Sequence, residues 1–160
     1  MKHLALILSI SLLLVTGTNA APFVFIVRHA EKARTGDKDP DLSLQGQKRA
    51  NSLAHILKDS QITSVFVTEF KRTQETAAPT AKAAHVSPTV IPASDVGALV
   101  EKLRALNGNA LVVGHGNTIP DLLQALGVTT PVSIPEDDYT EIFAVLVGDA
   151  PHLLRLHYPF

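Results

Sequence analysis

From residue 23 onward, short unbroken apolar runs alternate with longer stretches whose apolar residues recur at helical spacing. Phe23 to Val27 (FVFIV) is continuous, β-branched and aromatic, as expected of a strand covered on both faces, and Arg28 and His29 end it. A polar stretch from Ala33 to Asp41, with Gly36 and Pro40, predicts a loop hanging from that strand's carboxyl end. Ser43 is placed to cap a helix in which Ala50, Leu53, Ala54 and Leu57 repeat at i, i+3, i+4 and i+7. Ile62 to Val67 (ITSVFV) predicts a second strand. An alanine-rich helix follows from Lys71 to Ala84, which Pro79 is expected to kink or shorten.

Thr89 to Ile91 reads as a short strand, and Ser94 or Asp95 as the cap of a helix bearing Val96, Leu99, Val100, Leu103 and Leu106, which Asn107 and Gly108 stop. Ala110 to Val113 is another buried strand, with Gly114 and His115 at its end. Thr118 begins a helix with Pro120 in its first turn and with Ile119, Leu122, Leu123 and Leu126 at helical spacing before Gly127. Ile142 to Val147 and Leu153 to His157 predict two closing strands around a turn at 148–151. This alternation argues for an α/β three-layer sandwich, a mostly parallel central sheet flanked by helices. In such sheets ligands gather outside the carboxyl ends of the strands, where Arg28, His29 and His115 fall.

Composition narrows the picture. The chain has 160 residues, 46% hydrophobic and 18% charged, enough for one core and too little for two full domains. Residues 1–20 read as a signal peptide ahead of a single domain over 21–160. Lys2 precedes an apolar run from Leu4 to Val15, and Thr18 and Ala20 stand at −3 and −1 of a cut before Ala21. The run is shorter than the roughly 20 apolar residues that span a bilayer. Export to a periplasm or to the medium is therefore expected, with no stable membrane span after cleavage. Fourteen Lys and Arg against fifteen Asp and Glu leave a net charge of −1, so no global field recruits nucleic acid or an anionic membrane. The absence of cysteine excludes disulfides, thiolate zinc sites, a lipoprotein leader and a cysteine nucleophile.

The chemistry then rests on histidine and arginine. Two histidines at the ends of separate buried strands can converge on one pocket, with Arg28 and Arg72 beside them. Guanidinium groups offer fixed, bidentate donors to phosphate oxygens, and a neutral imidazole nitrogen can attack phosphorus in line. The same cations disfavour imidazolium and keep His29 nucleophilic. Gly116 permits close backbone approach, and the helix after it is expected to offer amides to an anion. Asp37, Asp39 and Asp41 have calcium-like spacing, but a calcium loop starting at Asp37 would need glycine and glutamate where Leu42 and Lys48 stand. They read instead as an acidic loop over the pocket. His55, His85, His152 and His157 form no zinc motif, and neither a metal nor another cofactor is expected.

Four ordered segments carry a resemblance to the histidine phosphatase superfamily, also called phosphoglycerate mutase-like. Val27-Arg28-His29-Ala30-Glu31-Lys32 resembles its Arg-His-Gly hallmark in an Arg-His-Ala variant, and Leu42-Ser43-Leu44-Gln45-Gly46 is similar to the Leu-Ser/Thr-x-x-Gly that opens its first helix. Thr68-Glu69-Phe70-Lys71-Arg72-Thr73-Gln74-Glu75-Thr76-Ala77 resembles the element that delivers its second arginine. Val112-Val113-Gly114-His115-Gly116-Asn117 resembles the strand ending in its second histidine. The resemblance implies His29 as the phosphorylated nucleophile, with Arg28, Arg72 and His115 binding the phosphoryl oxygens. Asn117 would orient His115, touch substrate or simply enter a helix. Expulsion of an alkoxide calls for a carboxylic acid, for which Asp95 and Glu31 are the candidates. Asp95 is equally suited to capping a helix, and Glu31 to pairing with Lys32 or Arg34. Asp137, Asp138 and Tyr139 could border the pocket or form a turn.

The expected function is a metal-independent phosphatase that hydrolyses a phosphomonoester or a phosphohistidine, acting on a small phosphate ester or another phosphorylated substrate. The alternatives are a phosphoglycerate-type mutase, a catalytically weak phosphate-ligand-binding protein and, more distantly, a metallohydrolase. Loops 33–41, 92–97 and 129–140 are expected to select the leaving group.

Overall fold

In the computed structural model, which describes residues 21–158, the apolar runs become the strands of one six-stranded sheet. The signal-peptide reading of residues 1–20 lies outside the described residues. β1 (Phe23–Arg28), β2 (Ile62–Val67), β3 (Thr89–Val90) and β4 (Asn109–Gly114) are mutually parallel. β5 (Glu141–Leu146) and β6 (His152–His157) close one side antiparallel, in the order β3-β2-β4-β1-β5-β6. The sheet is thus mostly parallel, with its antiparallel part confined to the carboxyl-terminal hairpin.

Helices cover both faces, and the two-residue period of the strands decides which side chains each pair meets. Val27, Val65, Val67, Leu111 and Val113 pack beneath α1 (Leu44–Ile56) and α2 (Lys71–Ala84), against Leu53, Leu57, Ala77 and Ala81. Val24, Ile26, Phe66, Ala110, Val112 and Phe143 face α3 (Val96–Arg104) and α4 (Ile119–Ala125), against Val100, Leu103, Ile119, Leu122 and Leu123. Central strands buried on both sides explain why their sequences are unbroken apolar runs rather than alternating ones.

Two details depart from the expected elements. Pro79 lies inside α2 without shortening it. The missing N–H removes one bond within the helix, while Thr76, Ala77, Thr80 and Ala81 remain buried against the sheet and α1, and that packing outweighs the loss. α3 stops at Arg104, where the Ala105 amide turns back to the Glu101 carbonyl, although Leu106 still packs on the core.

The chain's return from β1 to α1 is tightly built. Ser43 caps α1 by accepting from the Gly46 amide at 3.1 Å, and its own amide donates to the Glu31 carbonyl at 2.8 Å. A Cβ on Gly46 would collide with that same Glu31 carbonyl oxygen, so the glycine of the Leu-Ser-x-x-Gly segment is a close-approach residue. The loop between them is pinned to the start of α2: Asp39 accepts from the Lys71 amide at 3.2 Å, and Asp41 pairs with the Lys71 ammonium at 3.0 Å. Among the described residues, no helix is long and apolar enough to cross a membrane.

Candidate active site

β1 and β4 pair in parallel register with Arg28 opposite Gly114, so His29 and His115 emerge side by side, each one residue past its strand. The His29 amide donates to the Gly114 carbonyl at 2.9 Å, extending the ladder by one rung. The two rings meet edge to face with centroids 5.4 Å apart, and the residues are 5% and 6% exposed.

The environment sets the tautomer of each ring. Nδ1 of His29 lies 2.8 Å from the Ala30 carbonyl, which can only accept, so Nδ1 carries the hydrogen and Nε2 keeps its lone pair. The Ala30 amide is held in turn by Thr76 Oγ1 at 2.9 Å, whose hydroxyl donates to the Arg72 carbonyl at 2.6 Å. On the other ring, Nδ1 faces an Arg72 N–H at 3.5 Å, which leaves the hydrogen on Nε2. From there a chain runs in one direction. His115 Nε2 donates to Thr68 Oγ1 at 3.0 Å, Thr68 to Thr73 Oγ1 at 3.0 Å, and Thr73 to the Phe70 carbonyl at 2.8 Å.

Both rings are held neutral. Burial pushes His29 down to about 4, against the pull of its Ala30 hydrogen bond, and the charges of Arg72, His115 and Arg28 push the same way. Burial likewise pushes His115 down to about 4, with Arg72 and Arg28 assisting and Glu69 opposing.

The arginines are placed by stacking and by backbone carbonyls. Arg28 donates from Nη1 to the Pro135 carbonyl at 2.8 Å and the Asp138 carbonyl at 3.1 Å, and its guanidinium lies 4.3 Å from the Tyr139 ring centroid. Its Nε–H is buried and has no hydrogen-bond partner. Arg72 lies 4.2 Å over the Phe70 ring, with Nη1 3.6 Å from Asp39. Arg28, His29, Arg72, His115 and Asn117 line one cavity of about 520 Å³, whose other walls are Lys32, Gly116, Ile134, Glu136 and Tyr139.

The remaining candidates fall elsewhere. Glu31 turns away from the cavity into a buried ion pair: Arg49 Nε reaches its two oxygens at 3.0 and 2.9 Å, and Nη2 reaches one at 2.6 Å. Asp95 is exposed and caps α3, accepting from the Ala98 amide at 2.9 Å, beside a separate apolar recess between the sheet and helices α3 and α4. The amides of Thr118 and Ile119, expected to face an anion, both donate to the His115 carbonyl, at 3.1 and 3.0 Å. They are spent on closing the turn into α4. Asp138 fixes its own loop, accepting from the Thr140 amide and hydroxyl at 2.7 and 2.8 Å.

Thr68, Lys32 and Glu136 are among the lining and supporting residues that escaped the sequence reading: Thr68, the support of His115, opens the segment that carries Arg72, and Lys32 and Glu136 adjoin residues already singled out. A metal finds weak footing. Among the described residues, only Asp138, Glu141 and His157 cluster at ligand distance, within 4.8 Å, and the Glu141 carboxylate there is ion-paired with Arg155.

Two imidazoles and two guanidiniums thus surround one cavity at the carboxyl edge of a parallel sheet, where ligands of such folds gather. A family model for the histidine phosphatase superfamily (branch 1) matches residues 24–95, and that match supports the superfamily resemblance. Its fold is shared by the protein histidine phosphatase SixA, solved with tungstate, at 24% identity and a TM-score of 0.71, covering 84% of this chain and 96% of that one. A mycobacterial glucosyl-3-phosphoglycerate phosphatase is similar at 17% identity and a TM-score of 0.64, covering 78% and 90% of the two chains. Mycobacterial hydrolase 2 is similar at 15% identity and a TM-score of 0.65, covering 84% and 89%. A comparison with curated protein sequences finds no match.

Proposed function

We propose that this protein is a metal-independent phosphatase that transfers a phosphoryl group to His29 and then to water, acting on a phosphomonoester or a phosphohistidine. The observation that carries the reading is His29 itself. Its Nδ1–H is committed to the Ala30 carbonyl, so a neutral Nε2 lone pair is left in a cavity shared with two guanidiniums. The phosphoryl oxygens would lie between Arg28, whose buried Nε–H lacks a partner, and Arg72. His115 presents Nδ1 beside Arg72. A bound dianion favours its imidazolium, which can donate to a phosphoryl oxygen and stabilise the charge spread over the transferring group. The Thr68–Thr73–Phe70 chain holds that ring in orientation.

Hydrolysis is favoured over a mutase because Lys32, Asn117 and Glu136 on the cavity rim are exposed, so water reaches the phosphoenzyme. The relatives named as phosphatases agree with that choice. Mature protein incubated with 4-nitrophenyl phosphate is expected to release phosphate equally with and without chelator, and His29→Ala to lose the activity. Rapid acid-free quenching should trap an acid-labile phosphohistidine in the wild type only. Loss on chelation would move the reading to a metallohydrolase, and phosphate binding without turnover would leave a ligand-binding protein.

A further inference from the structure

We propose that Glu136, on the turn before β5, is the carboxylic acid that protonates the leaving group. The inference rests on the phosphatase reading and deepens it. Glu136 is the one carboxylate among the residues lining the cavity that holds His29. Four other acids are committed: Glu31 to Arg49, Asp95 to the first turn of α3, Glu69 to the Ala93 amide at 2.8 Å, and Asp39 to the Lys71 amide and Arg72; Asp137, next to Glu136, does not line the cavity. Glu136 enters no ion pair among the described residues.

Its placement depends on the phosphate site. Residues 135–138 form a turn closed by the Asp138 amide on the Pro135 carbonyl at 3.1 Å. The Arg28 guanidinium donates to the carbonyls of both Pro135 and Asp138, the first and last residues of that turn. The arginine assigned to phosphate therefore also holds the backbone on either side of Glu136, and Tyr139 stacks on it from the next position but two. A carboxyl carried on a turn braced in this way stays at the rim of the cavity that holds His29.

In the first step His29 Nε2 forms a bond to phosphorus as the bond to the ester oxygen breaks, and the Glu136 proton passes to that oxygen to give the free alcohol. In the second, the Glu136 carboxylate takes a proton from water as the water oxygen bonds to phosphorus. The P–N bond then breaks and releases phosphate and neutral His29.

The test is the dependence on leaving group. An aryl oxide leaves without a proton, whereas an alkoxide needs one, so in single-turnover mixing Glu136→Gln should slow phosphohistidine formation from glycerol 2-phosphate by about 100-fold and from 4-nitrophenyl phosphate by less than about 3-fold, while hydrolysis of the phosphohistidine, the same for both esters, slows alike. Glu136→Asp should retain more glycerol 2-phosphate activity than Glu136→Gln, and phosphohistidine should form from the aryl ester in all three proteins. Equal slowing of phosphohistidine formation from both esters, slowing from neither, or a wild type that hydrolyses only the aryl ester would overturn the assignment of Glu136 and leave His29 in place. A wild type that forms no phosphohistidine from the aryl ester would overturn both.

Discussion

The two histidines differ from ordinary ones because of what surrounds them. Buried among cations and at about 4, His29 is neutral throughout the physiological range, which is the form a nucleophile requires. Ring resonances followed by NMR in phosphate-free buffer should show neither His29 nor His115 titrating between pH 8 and 5; midpoints near 6.5 would mean that burial does not control them. The same shift carries a stability consequence with a definite sign. The unfolded chain takes up protons as pH falls through 6.5, whereas the folded rings do so only near 4, so folding stability should decline across that window as acid is added. Arg28, His29, Arg72 and His115 were legible in the sequence because each sits beside a strand end or a helix start. The tautomer of His29 was not, since it depends on the direction of the Ala30 carbonyl.

Among the elements, the joint between β1 and α1 shows how one acidic residue can serve the fold instead of the chemistry. Glu31 follows His29 by two positions, which makes it a candidate acid by sequence, but Arg49 on α1 claims its carboxylate in a pair 3% and 14% exposed. Local spacing does not reveal this, because the partners are 18 residues apart and meet only when Gly46 lets α1 approach the Glu31 backbone. Glu31→Ala removes the carboxylate that a buried guanidinium grips through Nε and Nη2 and should cost about 3–5 kcal/mol in urea denaturation. The folded fraction should still form phosphohistidine from an aryl phosphate. A variant of unchanged stability that fails on alkyl esters would return Glu31 to the role of acid. Ser43 and Asp95 illustrate the legible side: both cap helices, and capping is decided within three or four residues.

For the molecule as a whole, the reading of residues 1–20 as a leader predicts that full-length chain made in an exporting bacterial host yields a product whose intact mass begins at Ala21. A product retaining Met1 in the cytoplasm would refute it. Within the domain, the chain alone determined the elements and the class of fold. Apolar periodicity and caps are local properties, and central strands buried on both faces must be apolar throughout. It also placed the two histidines and two arginines at the ends of elements where a parallel sheet opens a crevice. Only the tertiary structure decided which carboxylate meets that crevice. An acid's role depends on the partner that reaches it first, and Arg49 for Glu31, the α3 amides for Asp95 and the Arg28-braced turn for Glu136 are brought together by packing between segments distant in the chain.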